Sequence, residues 1–326
     1  MKKSLFLALI SILCMLLSLG VSSPQSNFGF QALYRLISLN NDLNDLDILY
    51  QIFIELKAPR ILLAFIVGAL LSSSGAVIQG CFLNPLADPY IIGIASAATF
   101  GSLIAFMFNL SEIYFGLFAF LSCILFTFFI FSIYKKNQNM ATLLILGIAT
   151  STLLASITSF FIYLIGEDSF KISAWLMGYL GNANWNIVVI VYIASIICIL
   201  YFYIKRYELD LLLCGDEEAN SLGLNASKSK KLFLIISCIA VAFSVAFCGL
   251  IAFIGLIIPH TLRMYFKTSS NKIIIPYSIF IGGIFLLFCD NLAFNILYPI
   301  EIPVGIITSF FGVPLFVYLA LRKNYA

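Results

Sequence analysis

Apolar residues come in long runs along this chain, and polar residues are confined to the short stretches between them. At ~20 residues per bilayer crossing, the runs divide into about ten spans. They read as Met1 to Val21, Pro59 to Gln79, Ile91 to Phe108, Phe115 to Ile133, Ala141 to Ile165, Ile187 to Ile204, Leu232 to Gly249, Ile251 to Phe266, Ile274 to Cys289 and Val304 to Leu321. The second run is the most patterned. Gly68, Ser72, Gly75 and Gln79 follow one another at spacings of four, three and four. Such a row puts small and polar side chains along one side of a helix, where neighbouring backbones approach closely. These four residues are therefore expected to serve helix packing. Pro59 suits a first helical turn, where its missing N–H costs nothing. Beyond the run, Asn84-Pro85 and Asp88-Pro89 are turn signals.

Composition turns the pattern into a class. Of 326 residues, 62% are hydrophobic and 10% charged, far outside the soluble average. The chain is read as an all-α integral membrane protein. Residues 1–326 form a single membrane-spanning domain, because ten spans leave little chain for a soluble one. The net charge of +3 is small, so the placement of basic residues matters more than their number. If Lys2 and Lys3 start inside and every span reverses direction, only Arg35, Lys57, Arg60 and Lys171 of the eighteen Lys and Arg fall outside. Both termini are then cytoplasmic. No basic surface is left over for nucleic acid. The first run also has the shape of a cleaved signal peptide, but removing it leaves nine spans, so a retained span is expected. The eight cysteines are scattered through apolar runs without a C-x-x-C pair or a Cys/His cluster, and read as small hydrophobes rather than disulfides or metal ligands.

Chemistry is sparse. The fifth run carries Thr142, Thr150, Ser151, Thr152, Ser156, Thr158 and Ser159. A single hydroxyl in a span bonds back to its own helix, whereas this many in one span are expected to wall a polar cavity. The longest cytoplasmic segment, Tyr207 to Lys231, has the core GDEEANSLG. Its glycines bracket about two turns of helix former with acids at the N-terminal end, which suits the helix macrodipole. Spacing alone makes it an ordinary polar loop with a helical turn. No Gly-Lys dipeptide is present, so there is no phosphate-binding loop. No embedded acid or base is placed for a proton relay: Asp290 lies at a span end, and His260, the only histidine, follows Pro259 and suits a structural hydrogen bond. Enzyme chemistry is disfavoured, and the energy for any transport is expected to come from elsewhere.

The stretch PRILLAFIVGALLSSSGAVIQGCFLNPLADPYIIGIASAATFGS closely resembles the hallmark sequence of the FecCD permease family, membrane subunits of type II ABC importers for iron-siderophores, haem and cobalamin. The likeness recurs at Ala174 to Leu180 (AWLMGYL), at GDEEANSLG, at Phe253 to Arg263 (FIGLIIPHTLR) and at Glu301 to Pro314 (EIPVGIITSFFGVP). The resemblance implies a ten-span type II ABC importer permease without catalysis or cofactor, in a bacterial cytoplasmic membrane. It implies as partners a second permease copy or paralogue, two cytoplasmic ATPases, and a periplasmic or lipid-anchored binding protein. The implied cargo is an iron chelate, siderophore or haem, with cobalamin as the alternative within the family. A secondary transporter or channel is the reading from another class. The resemblance assigns Gly215, Glu217, Glu218, Ala219, Leu222 and Gly223 to ATPase coupling. It assigns Lys57 and Arg60 to docking of the binding protein, and Thr150, Ser151, Thr152, Ser156, Thr158 and Ser159 to the pathway wall. One position departs from the pattern: Phe294 stands where the family often has a third basic residue.

Overall fold

A computed structural model describes residues 2–21, 29–38, 43–111, 113–134, 140–166, 172 and 175–321. The basic residues Lys135, Lys136, Lys171, Arg322 and Lys323 used in assigning the topology, and Ala174 of AWLMGYL, lie outside the described residues. All regular elements among the described residues are helices. They are α1 (Lys2–Gly20), α2 (Phe30–Ser38), α3 (Leu43–Tyr50), α4 (Ala58–Phe82), α5 (Ile94–Met107), α6 (Ile113–Ile133) and α7 (Met140–Ile165). There follow α8 (Trp185–Leu212), α9 (Asp216–Ser221), α10 (Ala226–Cys248), α11 (Ile254–Phe266), α12 (Asn271–Asn295) and α13 (Val304–Leu321). Among the described residues, six helical stretches are long and apolar enough to cross a membrane: Leu46–Phe82, Tyr114–Ile133, Met140–Ile165, Trp185–Leu212, Ala226–Cys248 and Asn271–Asn295. Shorter apolar helices lie at Phe6–Gly20, Ile94–Met107 and Val304–Tyr318.

Several boundaries differ from those expected, among them the end of α12, which runs past Cys289 to Asn295. Between α3 and α4 the chain makes a π-helical turn over Gln51–Lys57, in which the Ala58 N–H donates to the Phe53 carbonyl. The polar stretch before Pro59 thus runs helically into α4, and the wide turn accommodates the proline at the head of α4. On the other side, α8 continues past Ile204 to Leu212 and α10 begins at Ala226. The segment expected at Tyr207 to Lys231 is mostly helix extension. Hydropathy falls where water begins, but intrahelical hydrogen bonding continues there.

α4 occupies the centre. Side chains from Ile66 to Cys81 are all buried, and α1, α8, α10, α11 and α12 pack around them. A Cβ on Gly68 would overlap the carbonyl oxygen of Gly282 in α12, and one on Gly75 would overlap that of Gly255 in α11. Ser72 abuts Gly282. Gln79 Nε2 donates to Leu256 O at 2.9 Å, and its Oε1 accepts from Arg263, which also donates to Ala76 O at 3.2 Å. The row therefore faces α12 in its upper half and α11 in its lower half, with backbone meeting backbone. Past α4, Asn84 and Asp88 close Asx turns through the N–H groups of Leu86 (2.9 Å) and Tyr90 (2.7 Å). A second, outer layer pairs α5 with α6 and seats α7 on α5. The eight cysteines are free; Cys14 is half-buried, Cys214 exposed, and the rest buried.

Candidate functional site

At the start of α4, Arg60 is committed to two carboxylates. Its Nη2 and Nε reach Asp290 of α12 at 2.9 Å, and its Nη1 reaches Glu301, just ahead of α13, at 2.9 Å. The guanidinium lies 5.1 Å from the ring centroid of Phe294. Side-chain exposure is 14% for Arg60, 6% for Asp290 and 26% for Glu301, so Asp290 is the inner partner and Glu301 the outer one. Lys57 Nζ donates to the carbonyls of Leu19 (3.1 Å) and Val21 (3.2 Å), closing the C-terminal end of α1. Both basic residues that the family resemblance assigns to docking are thus engaged within the chain. Phe294 is the surface on which Arg60 lies. These residues line a cleft of about 250 Å³ with Ser18, Asn291 and Tyr298. Sequence reasoning set Asp290 aside as no proton-relay group and gave Glu301 no role; the available signal was a carboxylate at a span end, which requires a partner.

The hydroxyls of α7 are divided among three surroundings. Thr158 is buried, Thr150 and Ser151 are half-buried, and Thr152, Ser156 and Ser159 are exposed. Ser151 faces Gly93 at the head of α5. Thr150, Ser151, Thr152, Ser156 and Thr158 each donate to the carbonyl four residues back, so none of the five depends on a partner outside its helix. Thr152, Ser156 and Ser159 continue a stripe with Ile148 and Tyr163, both exposed, along the face turned away from the rest of the chain.

On the opposite end of the bundle, α9 is bracketed by Gly215 at φ 111° and Gly223 at φ 87°, conformations that side chains oppose. Ala219 is fully buried beneath it, while Glu217 and Glu218 face water and Leu222 is 66% exposed. The Ala219 N–H donates to Gly215 O and the Leu224 N–H to Ala219 O, both at 3.0 Å. The result is a short, two-ended knob with acids and one leucine on its outer side.

Beside it, Gln79, Asn84, Leu213, His260, Arg263 and Lys267 line a cavity of about 520 Å³. α4, α8 and α11 all end around this cavity, and its cations complement their C-terminal carbonyls. His260 makes no structural hydrogen bond through Nδ1, which is buried without a partner. In the turn after α4, burial pushes the Asp88 carboxyl up to about 6, against the opposing hydrogen bond from the Tyr90 amide. Among the described residues, no group of His, Cys, Asp and Glu is assembled to hold a metal ion.

The profile of one transport family matches residues 7–322, which takes in the central small-residue helix, the hydroxylated outward helix and the glycine-bracketed knob. The chain belongs to the FecCD transport family. It is similar to the hemin transport system permease HmuU of Yersinia pestis, 35% identical over 98% of this chain and 96% of that one. It is also similar to the cobalamin import permease BtuC of Halobacterium salinarum, 37% identical over 81% of this chain and 72% of that one. A solved ABC transporter assigned to the metal-chelate type, in an inward-facing conformation, superimposes with a TM-score of 0.86 at 28% identity, covering 98% of this chain and 99% of that one. This FecCD protein is a multi-pass membrane permease and a non-catalytic transport subunit.

Proposed function

We propose that this permease carries an iron chelate, a siderophore or haem, inward across a bacterial cytoplasmic membrane, driven by two separate ABC ATPases. The observation that carries the reading is the whole-length likeness to a hemin transport permease. Cobalamin is the second reading, favoured by the 37% identity to a cobalamin import permease. Within this reading the chain makes ten crossings with both termini in the cytoplasm. It pairs with a second permease copy or paralogue and receives cargo from a periplasmic or lipid-anchored binding protein.

The outward stripe of α7 supports a role at the pathway between two permeases, because Thr152, Ser156 and Ser159 leave an apolar helix polar on the side that its own chain does not cover. The knob formed by Gly215, Glu217, Glu218, Ala219, Leu222 and Gly223 supports ATPase coupling. Lys57 and Arg60 would dock the binding protein only by exchanging their present partners for acidic groups of that protein. Uptake of iron-labelled siderophores, iron-labelled haemin and labelled cobalamin into a strain lacking this permease tests the cargo. Restoration of siderophore or haemin uptake by the intact gene is the expected result, and restoration of cobalamin uptake alone overturns the iron reading.

A further inference from the structure

We propose that Lys230 and Asp216 form the rigid joint through which movement of α9 reaches the membrane bundle, making them positioning residues for transport. The proposal rests on the reading of Gly215 to Gly223 as the coupling segment. Lys230 lies in the second turn of α10, and its side chain is 4% exposed, whereas that of Asp216 is 53% exposed. An ammonium is seldom buried so far without a partner. Its partner is the Asp216 carboxylate, in the first turn of α9.

α9 has six residues, too few to hold an orientation by its own hydrogen bonds. Its angle to the bundle is set from outside, by buried Ala219, by the Ala226 N–H donated to Asn220 Oδ1 at 3.0 Å, and by this ion pair. The surroundings of the joint are braced as well. Ser229 Oγ donates to Glu208 at 3.2 Å, tying α10 to α8, and Lys231 Nζ donates to Phe131 O at 3.3 Å, tying α10 to α6. Asp210 of α8 accepts from Ser270 Oγ at 3.0 Å and from the Asn271 N–H, capping α12. Displacement of α9 is thereby passed to α10 rather than absorbed by a slack loop, and α10 is tied to α8 and α6. The unequal exposure sets the direction of dependence. Without Asp216, the lysine must reach water, and α9 loses its one charged tie to α10.

The test uses the full transporter purified with its ATPase. Met177→Cys serves as reporter at the far end of the bundle, and the exposed Cys214 is replaced by serine. Thiol labelling is compared with and without ATP and vanadate, normalised to the ATPase that co-purifies. The expected result is that Asp216→Asn and Lys230→Met cut the nucleotide-dependent change in labelling at least tenfold while ATP is still hydrolysed, and that Asp216→Glu keeps at least half of it. A parent-like change in Asp216→Asn overturns the joint, as does a change that merely falls in step with the amount of assembled complex. If Asp216→Asn fails to reach the membrane, the double variant Asp216→Asn/Lys230→Met, which leaves no unpaired buried charge, is read by the same criteria. Leu222→Asp separates the two levels. If it leaves the change intact, the coupling reading itself fails; if it abolishes the change and Asp216→Asn does not, only the joint fails.

Discussion

α4 and α7 are both apolar helices carrying rows of small and hydroxylated residues, yet the fold uses them in opposite ways. In the helical stretch containing α4, 89% of the most apolar window is buried; in α7 the share is 11%. Helix composition does not separate the two cases, since a hydroxyl bonded to its own helix is as well satisfied facing lipid as facing protein. What separates them is the other half of each contact. Gly68 and Gly75 meet Gly282 and Gly255 on neighbouring helices, whereas Thr152, Ser156 and Ser159 are left exposed by the described residues. A row of small residues is one surface of an interface, and the opposite surface decides whether that interface is internal.

The comparison is broken most sharply by adding a methyl group where α4 touches backbone. Gly75→Ala places its Cβ on the Gly255 carbonyl, and neither helix can withdraw without disturbing the core. The expected loss is about 3 kcal/mol or more, seen as failure to accumulate in membranes or as a markedly lower melting temperature in detergent. A melting temperature equal to that of the parent would mean that the α4–α11 contact is looser than the structure has it.

A smaller effect is expected at Asp88, in the turn that leaves α4. Its folded carboxyl is raised to about 6 from the ordinary 3.8. The folded state therefore holds the proton more tightly than the unfolded chain does. That contribution to stability is fully present below about pH 4 and is lost as pH rises through 6. Because Asp88 is only half-buried, solvent screening reduces the effect to the order of 1 kcal/mol. The melting temperature of the parent should fall between pH 4 and pH 7 relative to Asp88→Asn. Parallel curves for the two proteins would show that Asp88 does not titrate in this window.

The smallest stability change is expected on α7. Ser156→Val and Ser159→Val should shift the stability of the isolated permease by no more than about 0.5 kcal/mol while lowering uptake several-fold. A large stability loss with unchanged specific uptake would make the outward face of α7 a packing surface and remove its contrast with α4.

Much of the fold was legible from the chain because the bilayer dictates it. The runs Ala141 to Ile165 and Val304 to Leu321 coincide with α7 and α13 to within a residue, and the Asx turns at Asn84 and Asp88 formed where Asn-Pro and Asp-Pro stood. Hydropathy missed the C-terminal end of α8 and the N-terminal end of α10, where the helix outlasts its apolar pattern. The charge contacts were the least legible. Arg60 pairs with Asp290 and Glu301, more than two hundred residues away in the chain, and no local period relates them. Lys230 looked like one more inner-side lysine until its burial and its pairing with Asp216 were seen.

The sequence by itself determined that this chain is a helical membrane permease of the FecCD family, because long apolar runs have one stable form in lipid and the hallmark stretch is specific. It also determined which residues were small enough for close contact. Only the tertiary structure decided which surfaces meet: Gly75 with Gly255, Arg60 with two carboxylates, and one face of α7 with α5 while its stripe of Thr152, Ser156 and Ser159 stays exposed. Lipid rewards apolarity on every side of a helix equally. The direction in which a helix faces is therefore set by complementary partners that sequence distance conceals.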